Sequence, residues 1–238
     1  MLQIQFIRSS QAMPPLAVVN STVLDIKSFD MRSTFFTDSF VFKTVKIEDS
    51  AAEIFERVFS FMLLIVLSPI MLVTAIAIKL TMPGPVFYSQ IRIGKNGKEF
   101  SIFKFRSMVL NAEAATGPVL ATKNDPRITR LGKFLRASHI DEIPQLINVI
   151  RGDMAFVGPR PERPEFVEIF EREIPDYRRR REVRPGITGL AQVCLPYDAT
   201  ANDKINYDVF YIDNHKSVIF NVIISYYTLV KMLTFFKA

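Results

Sequence analysis

Arg57-Val-Phe-Ser-Phe-Met-Leu-Leu-Ile-Val-Leu-Ser68-Pro69-Ile-Met-Leu-Val-Thr-Ala-Ile-Ala-Ile78-Lys79 is the stretch that sets the architecture. Between its two terminal cations, Val58–Ile78 carries no charge over 21 residues. As a straight helix this run extends about 32 Å, close to the hydrocarbon thickness of a bilayer. It is apolar on every side rather than along one stripe, which favours a membrane-inserted helix over a buried core helix. Ser68-Pro69 falls near its middle. Proline removes an amide donor and crowds the preceding turn, so a kink is expected there, and a neighbouring serine can take up a carbonyl that the proline leaves bare. Two topologies stay open on the residues. The helix spans with a kink, or it re-enters, turning at Pro69 and leaving by the face it entered.

On the N-terminal side, residues 1–50 read as an extension of short, partly extended pieces, Leu2–Ile7, Leu16–Leu24 and Phe35–Val45, with no role assigned. Met1–Asp30 lacks the charged, apolar and small-residue order of a signal peptide. The membrane-inserted helix is assigned to 51–82 and a cytosolic catalytic domain to 83–238. Pro83-Gly84-Pro85 ends the helix, and two alternating runs flank Gly94-Lys-Asn-Gly97, a hairpin signal. Arg127, Arg130, Lys133 and Arg136 follow on a predicted helix, a series that reads first as a solvated face. Near the C-terminus, Ser217–Val230 is uncharged but short and partly polar. It predicts a helix lying in the membrane interface or packed on the catalytic domain. The resulting fold class is α+β and mainly helical, with a small β-hairpin or sheet element, a kinked membrane helix and interfacial helices.

Composition agrees with lipid contact. Mean hydropathy is +0.18 and 49% of residues are hydrophobic. The formal net charge of +6 suits nucleic acid, an anionic membrane or phosphorylated substrates. The sequence shows no aromatic stacking platform, zinc spacing or recognition helix, so nucleic acid is not the expected partner. The single Cys194 forms no intramolecular disulfide and reads as an apolar filler. No Walker motif and no dinucleotide-binding glycine pattern occurs. His139 and His215 carry no metal spacing, and His139 reads as a surface or capping residue.

The most informative segment is Ser138-His-Ile-Asp141-Glu142-Ile-Pro144-Gln-Leu-Ile-Asn-Val-Ile-Arg-Gly152. Pro144 fits a first helical turn and Gly152 a helix stop. Ile143, Leu146, Ile147 and Ile150 fit one apolar face. A helix starting near Asp141 puts two adjacent carboxylates at its positive end. The residues leave two readings open. Ser138 and Asp141 form a capping box, or the two acids are a reactive pair. Basic segments on both sides favour the second. Arg160, held between Pro159 and Pro161, presents a guanidinium suited to phosphate. Arg178–Arg181 could rest on anionic headgroups.

Taken together, the stretches resemble the bacterial sugar transferase family, the monotopic polyprenyl-phosphate sugar-1-phosphate transferases. The resemblance runs from about Phe55 to the C-terminus. It is carried by Ser68-Pro69, Pro83-Gly84-Pro85-Val86-Phe87, Gln90-Ile-Arg-Ile-Gly94, Lys104-Phe-Arg-Ser-Met108, Asn124-Asp-Pro-Arg127, Asp141-Glu142-Ile-Pro-Gln145, Gly158-Pro-Arg-Pro161, Arg184-Pro-Gly-Ile-Thr-Gly-Leu-Ala-Gln192 and Asp208-Val-Phe-Tyr211. It implies a re-entrant helix broken at Ser68-Pro69. It implies transfer of a sugar 1-phosphate from a UDP-sugar donor to polyprenyl (undecaprenyl) phosphate, with UMP released and exopolysaccharide, O-antigen or glycan assembly begun. Asp141 matches the family's nucleophile, which forms an aspartyl phospho-sugar. Glu142 matches the acid associated with Mg2+. Lys104, Arg106, Arg160, Arg184, Gln192 and Asp208 fall in motifs that line the site. The expected location is the bacterial inner membrane with the site facing the cytosol, and later glycosyltransferases or a second copy of the chain are further partners open to it. A non-catalytic membrane scaffold and a Mg-dependent phosphoanhydride hydrolase are the alternatives. Two departures stand out. Glu56-Arg57-Val-Phe-Ser60 replaces the Lys-Arg and Asp that many members carry before the apolar run, so a different anchoring network is expected. Cys194-Leu-Pro-Tyr-Asp198 replaces Gly-Arg-Asn, so donor contacts are expected to differ. The multi-span N-terminal domain of larger members is expected to be absent.

Overall fold

The computed structural model describes residues 49–114, 117–119, 125–196 and 198–235. The extended pieces expected within residues 1–48, Asn124 and Tyr197 lie outside the described residues.

Helix α1, Asp49–Thr81, is 33 residues long and carries Pro69 inside it. Pro69 has no N–H for the Ile65 carbonyl, and the Ser68 hydroxyl donates to that oxygen instead at 2.7 Å. Most of α1's apolar side chains are exposed, among them Val66, Leu72, Val73 and Leu80. Among the described residues it is the one helix long and apolar enough to cross a membrane. Both ends dock on the rest of the protein. Near the start, Phe59 meets Phe156 edge-on with centroids 5.5 Å apart. Near the end, Ile78 and Met82 form a core cluster with Phe105 and Leu135.

Strands β1, Phe87–Ile93, and β2, Glu99–Phe105, form the predicted antiparallel hairpin. Asn96 at φ 58° and Gly97 at φ 77° make its turn, in conformations these two residue types tolerate best. Helix α2 follows at Arg130–Ala137. A 3-10 turn, Ile140–Gln145, runs into α3, Leu146–Arg151. Strand β3, Ala155–Val157, pairs in parallel with β4, Gly186–Thr188. Between them lie α4, Pro164–Glu173, and a 3-10 turn, Tyr177–Glu182. Helices α5, Leu190–Cys194, α6, Ala201–Asn214, and α7, Val218–Phe235, complete the described chain. Among the described residues the fold is thus mainly helical with two small sheets.

Helix α7 packs on the rest of the fold through Phe220 and Ile224, both fully buried, while Val222, Tyr226 and Leu229 stay exposed. The arginine run differs from its expected role on headgroups. Arg179 pairs with Asp213 at 2.6 Å and with Glu182, Arg180 with Asp208, and Arg181 with Glu171 at 2.6 Å. Three of the four guanidinium groups therefore tie their turn to α4 and α6.

Candidate active site

Local geometry explains where the two acids sit. Thr129 caps α2 by accepting from Gly132 N at 2.9 Å. The Ser138 hydroxyl donates backwards to the Phe134 and Leu135 carbonyls, at 2.9 and 3.1 Å. Ser138 thus closes α2 and does not form the capping box that its spacing to Asp141 suggests. His139 at φ 56° turns the chain, and Asp141 and Glu142 follow in the first turn of the 3-10 segment. Gly152 ends α3 in the left-handed conformation at φ 85°, as its sequence position predicts. The apolar face is rotated from expectation. Leu146 is buried as its spacing predicts, but Gln145, Asn148 and Val149 share that burial while Ile143, Ile147 and Ile150 are half-buried. The cause is Asn148, which accepts from Phe103 N at 3.1 Å and donates to Ser101 O at 2.7 Å. Its amide thereby serves as a short extra strand edge for β2.

That docking aims β2 at the acids. Phe100 and Ile102 face a core cluster with Val149 and Met154. The period of two puts Lys104 in the same row. Its Nζ lies 2.8 Å from Glu142 Oε1, and Arg160 Nη2 lies 2.6 Å from the same oxygen. Burial alone would raise the Glu142 carboxyl, but Arg160 and Lys104 together hold it well below the usual carboxylate range. Asp141 differs. Its side chain has no hydrogen bond or ion pair among the described residues. Burial first, and then the charge of Glu142, push it up to about 6 against the opposing fields of Lys104, Arg136 and Arg160. Two neighbouring carboxylates with ionisation pushed apart in this way can take different chemical roles. Arg160 keeps 39% of its side chain exposed, so the guanidinium remains open to a ligand while bound to Glu142. His139 is exposed at this turn, as a surface residue.

The other predicted site residues bond to partners other than the acid pair. Arg106 donates to the carbonyls of Pro83 at 2.7 Å and Met82 at 2.6 Å, fastening β2 to the end of α1. Arg184 meets Glu56 at 2.8 Å, Glu53 at 3.4 Å and the Met154 carbonyl at 3.1 Å. Glu56 Oε1 also accepts from Phe156 N at 3.2 Å. These acids form the anchoring network that the altered sequence before the apolar run left open. Gln192 donates to the Ile187 carbonyl at 3.1 Å. Asp208 pairs with Arg180 at 3.0 Å. Lys104 and Arg160 are thus the predicted cations that reach the acids. Asn148, Arg180 and Glu56 escape a reading of the sequence, because nothing in local pattern marks a polar residue that works through distant backbone. Arg136 reads in sequence as part of a solvated face, yet its Nε bonds Ser107 Oγ at 2.8 Å and its charge acts on Asp141.

Among the described residues no three His, Cys, Asp or Glu side chains converge as a metal cage. Both hydrogen-bonded ion pairs of Glu142 use Oε1. Its Oε2 and the Asp141 carboxylate remain available. Mg2+ is commonly held by one or two carboxylates with substrate phosphates and water completing the shell, and this pair fits that pattern.

Comparison with known proteins gives a consistent result. The sequence model described as bacterial sugar transferase matches residues 47–235. The chain is 49% identical over 174 residues to a UDP-N-acetylgalactosamine-undecaprenyl-phosphate N-acetylgalactosaminephosphotransferase of Aeromonas hydrophila, covering 72% of this chain and 41% of that protein. It is 44% identical over 162 residues to a UDP-glucose:undecaprenyl-phosphate glucose-1-phosphate transferase of Xanthomonas campestris pv. campestris, covering 66% and 34%. It is 42% identical over 179 residues to exopolysaccharide production protein PSS of Rhizobium leguminosarum bv. phaseoli, covering 72% and 89%. The chain therefore spans less than half the length of the Aeromonas and Xanthomonas relatives.

Proposed function

The chain belongs to the bacterial sugar transferase family, and on that premise we propose that it transfers a sugar 1-phosphate from a UDP-sugar to undecaprenyl phosphate and releases UMP. The observation that carries this reading is the asymmetry of the acid pair. Glu142 is committed to two cations, whereas the Asp141 carboxylate has no partner among the described residues. In the first step an Asp141 oxygen attacks the phosphorus that bears the sugar. The bond from that phosphorus to the UMP oxygen breaks, and UMP leaves as the anion. In the second step a phosphate oxygen of the lipid attacks the aspartyl phospho-sugar. The bond to Asp141 breaks and the carboxylate returns. One acyl phosphate forms and is consumed, and one phosphoanhydride replaces another, so no separate nucleotide hydrolysis is needed. Arg160 and Lys104 offset the repulsion between a carboxylate nucleophile and a diphosphate. Glu142 would hold Mg2+, which when bound neutralises charge on the donor diphosphate.

The relatives' names support the donor and acceptor classes, since those proteins are named for UDP-sugars and undecaprenyl phosphate. The name of the Rhizobium relative supports a role in exopolysaccharide assembly. We place the enzyme at the bacterial inner membrane with α1 re-entrant and the site facing the cytosol. A straight helix from Glu56 to Ile78 would extend about 33 Å, the thickness of the hydrocarbon core, yet both of these points on α1 bind the same body. Glu56 binds Arg184 near the start and Ile78 packs with Phe105 near the end.

The test is UMP release by purified protein from a panel of UDP-sugars with undecaprenyl phosphate. Release should require the lipid phosphate and vanish in Asp141→Asn. UMP release without the lipid, with free sugar phosphate accumulating, would show a hydrolase instead. A phospho-sugar trapped on any residue other than Asp141 would sink the mechanism.

A further inference from the structure

Asp208 and Tyr211 lie three residues apart on α6, so both side chains can leave the same helix face. Both are buried. The Tyr211 hydroxyl donates to the Val157 carbonyl at 2.8 Å. Asp208 Oδ2 lies 3.0 Å from Arg180 Nε. Arg180 Nη2 in turn donates to the Arg160 carbonyl at 2.6 Å, and its guanidinium carbon lies 4.8 Å from the centre of the Tyr177 ring. The two links from α6 therefore end on the backbone that presents Arg160, one at each end of the segment 157–160. The opposite side of that segment is also fixed. A Cβ on Gly158 would lie 2.5 Å from the Arg184 carbonyl oxygen and 2.7 Å from Gly186 N, so the two segments meet backbone to backbone there.

A buried ion pair contributes little net stability, because desolvation offsets its attraction. What a buried arginine provides is a planar fork that fixes several acceptors at once, which a lysine lacks. Here Nη1 and Nη2 donate to the Tyr177 hydroxyl and the Arg160 carbonyl, while Nε forms an ion pair with the Asp208 carboxylate at 3.0 Å. We infer that Asp208, Arg180 and Tyr211 are positioning residues that hold the Arg160 backbone from behind, and that Asp208 acts on the reaction through Arg180 and Arg160 rather than by touching the donor. This inference rests on the proposed transfer reaction and on Arg160 serving it.

The experiment uses the full chain in detergent with undecaprenyl phosphate and, as donors, UDP-glucose and UDP-N-acetylgalactosamine. Asp208→Asn and Arg180→Lys are made alone and in an Arg160→Lys background. UMP release is read per folded molecule, with the folded fraction taken from thermal melts. UDP binding by calorimetry gives the same comparison in backgrounds with little turnover. Each single variant should lose turnover on the order of tenfold to a hundredfold, the scale expected of a misplaced positioning group. In the Arg160→Lys background neither should add a further loss, because residues acting through one group are not additive. Losses that multiply in that background would overturn the inference, as would singles with full turnover per folded molecule. If Asp208→Asn does not fold, Arg180→Lys, which keeps the charge pair, decides alone. If Asp141→Asn and Arg160→Lys both keep full activity, the proposed reaction at this site fails and not merely the role of Asp208.

Discussion

Asp141 and Glu142 are adjacent acids with opposite surroundings, and the contrast predicts opposite pH behaviour. Burial and the Glu142 charge raise Asp141 from 3.8 to about 6. The folded state therefore favours the protonated acid, and stability is lost as pH rises from near 4 through about 6. Asp141→Asn should abolish transfer and yet stabilise the protein above pH 6. The gain is up to roughly 3 kcal/mol, because each pH unit between the folded and unfolded titration midpoints is worth about 1.4 kcal/mol. It should fade below pH 4, where the wild-type acid is neutral in both states. Thermal melts across pH 4–8 in chelator check this, and equal stability of the two proteins at pH 8 would refute it. Glu142 is held below its ordinary value by Arg160 and Lys104 despite its burial. Its charge stabilises the fold above about pH 4.5 and that contribution disappears in acid. Glu142→Gln should therefore be destabilised most at neutral pH and match wild type in acid, and its activity should fall and recover in part with added Mg2+. Full activity of this variant in chelator would show that no metal is held there.

At the scale of elements, the arrangement depends on polar side chains that finish backbone hydrogen bonding at a distance. Asn148 completes β2 at Phe103 N and Ser101 O. Asn148→Ala leaves two strand groups without partners, and each unpaired buried group costs about 1–3 kcal/mol. The variant should lose several kcal/mol in denaturant unfolding and should also lose activity, because Lys104 is carried by the same strand. Asn148→Ala with unchanged stability would remove Asn148 from this role. The same residue marks how far sequence reading reaches. The hairpin is legible from alternation around Asn96-Gly97, and the stop of α3 from Gly152, because both signals are local. The face of α3 is not legible. Periodicity assigns burial to Ile143 and Ile147, but the hydrogen-bond demand of a neighbouring strand draws Asn148 inward. Strands β3 and β4 span three residues each, too few for a period to show. At the site, the residues themselves bring Asp141, Glu142 and Arg160 into view, and the family resemblance adds Lys104. Arg180 stays hidden because four consecutive arginines look alike in sequence and only the fold distributes their carboxylate partners.

At the scale of the molecule, the question is how a 33-residue apolar helix and a charged body would share one membrane, as proposed. If α1 spans, its start and its end face opposite compartments. The contacts oppose that arrangement. Arg184, next to β4, binds Glu53 and Glu56 in the first turns of α1, and Met82 past the other end packs with Phe105 and Leu135. Arg92, Lys104 and Arg106 lie beyond the helix, where positive-inside bias favours the cytosolic side that we propose for the site. On the proposed re-entrant arrangement the start of α1 is cytosolic too. Pro69 and Ser68 supply the local freedom to bend, since the lost amide leaves the Ile65 carbonyl to a hydroxyl. The exposed Ser50 offers a direct readout. With Ser50→Cys in a Cys194→Ser background, an impermeant thiol reagent should leave intact spheroplasts unlabelled and label the protein after lysis. Replacing Ser68-Pro69 by Ala-Leu restores a straight hydrogen-bonded helix, and a fraction of chains should then expose residue 50 outside. The Glu56–Arg184 pair opposes this escape, so adding Glu56→Gln to the straightened helix should raise the labelled fraction further. Labelling of the unaltered helix to the same extent as the straightened one would establish a kinked span and overturn the re-entrant arrangement.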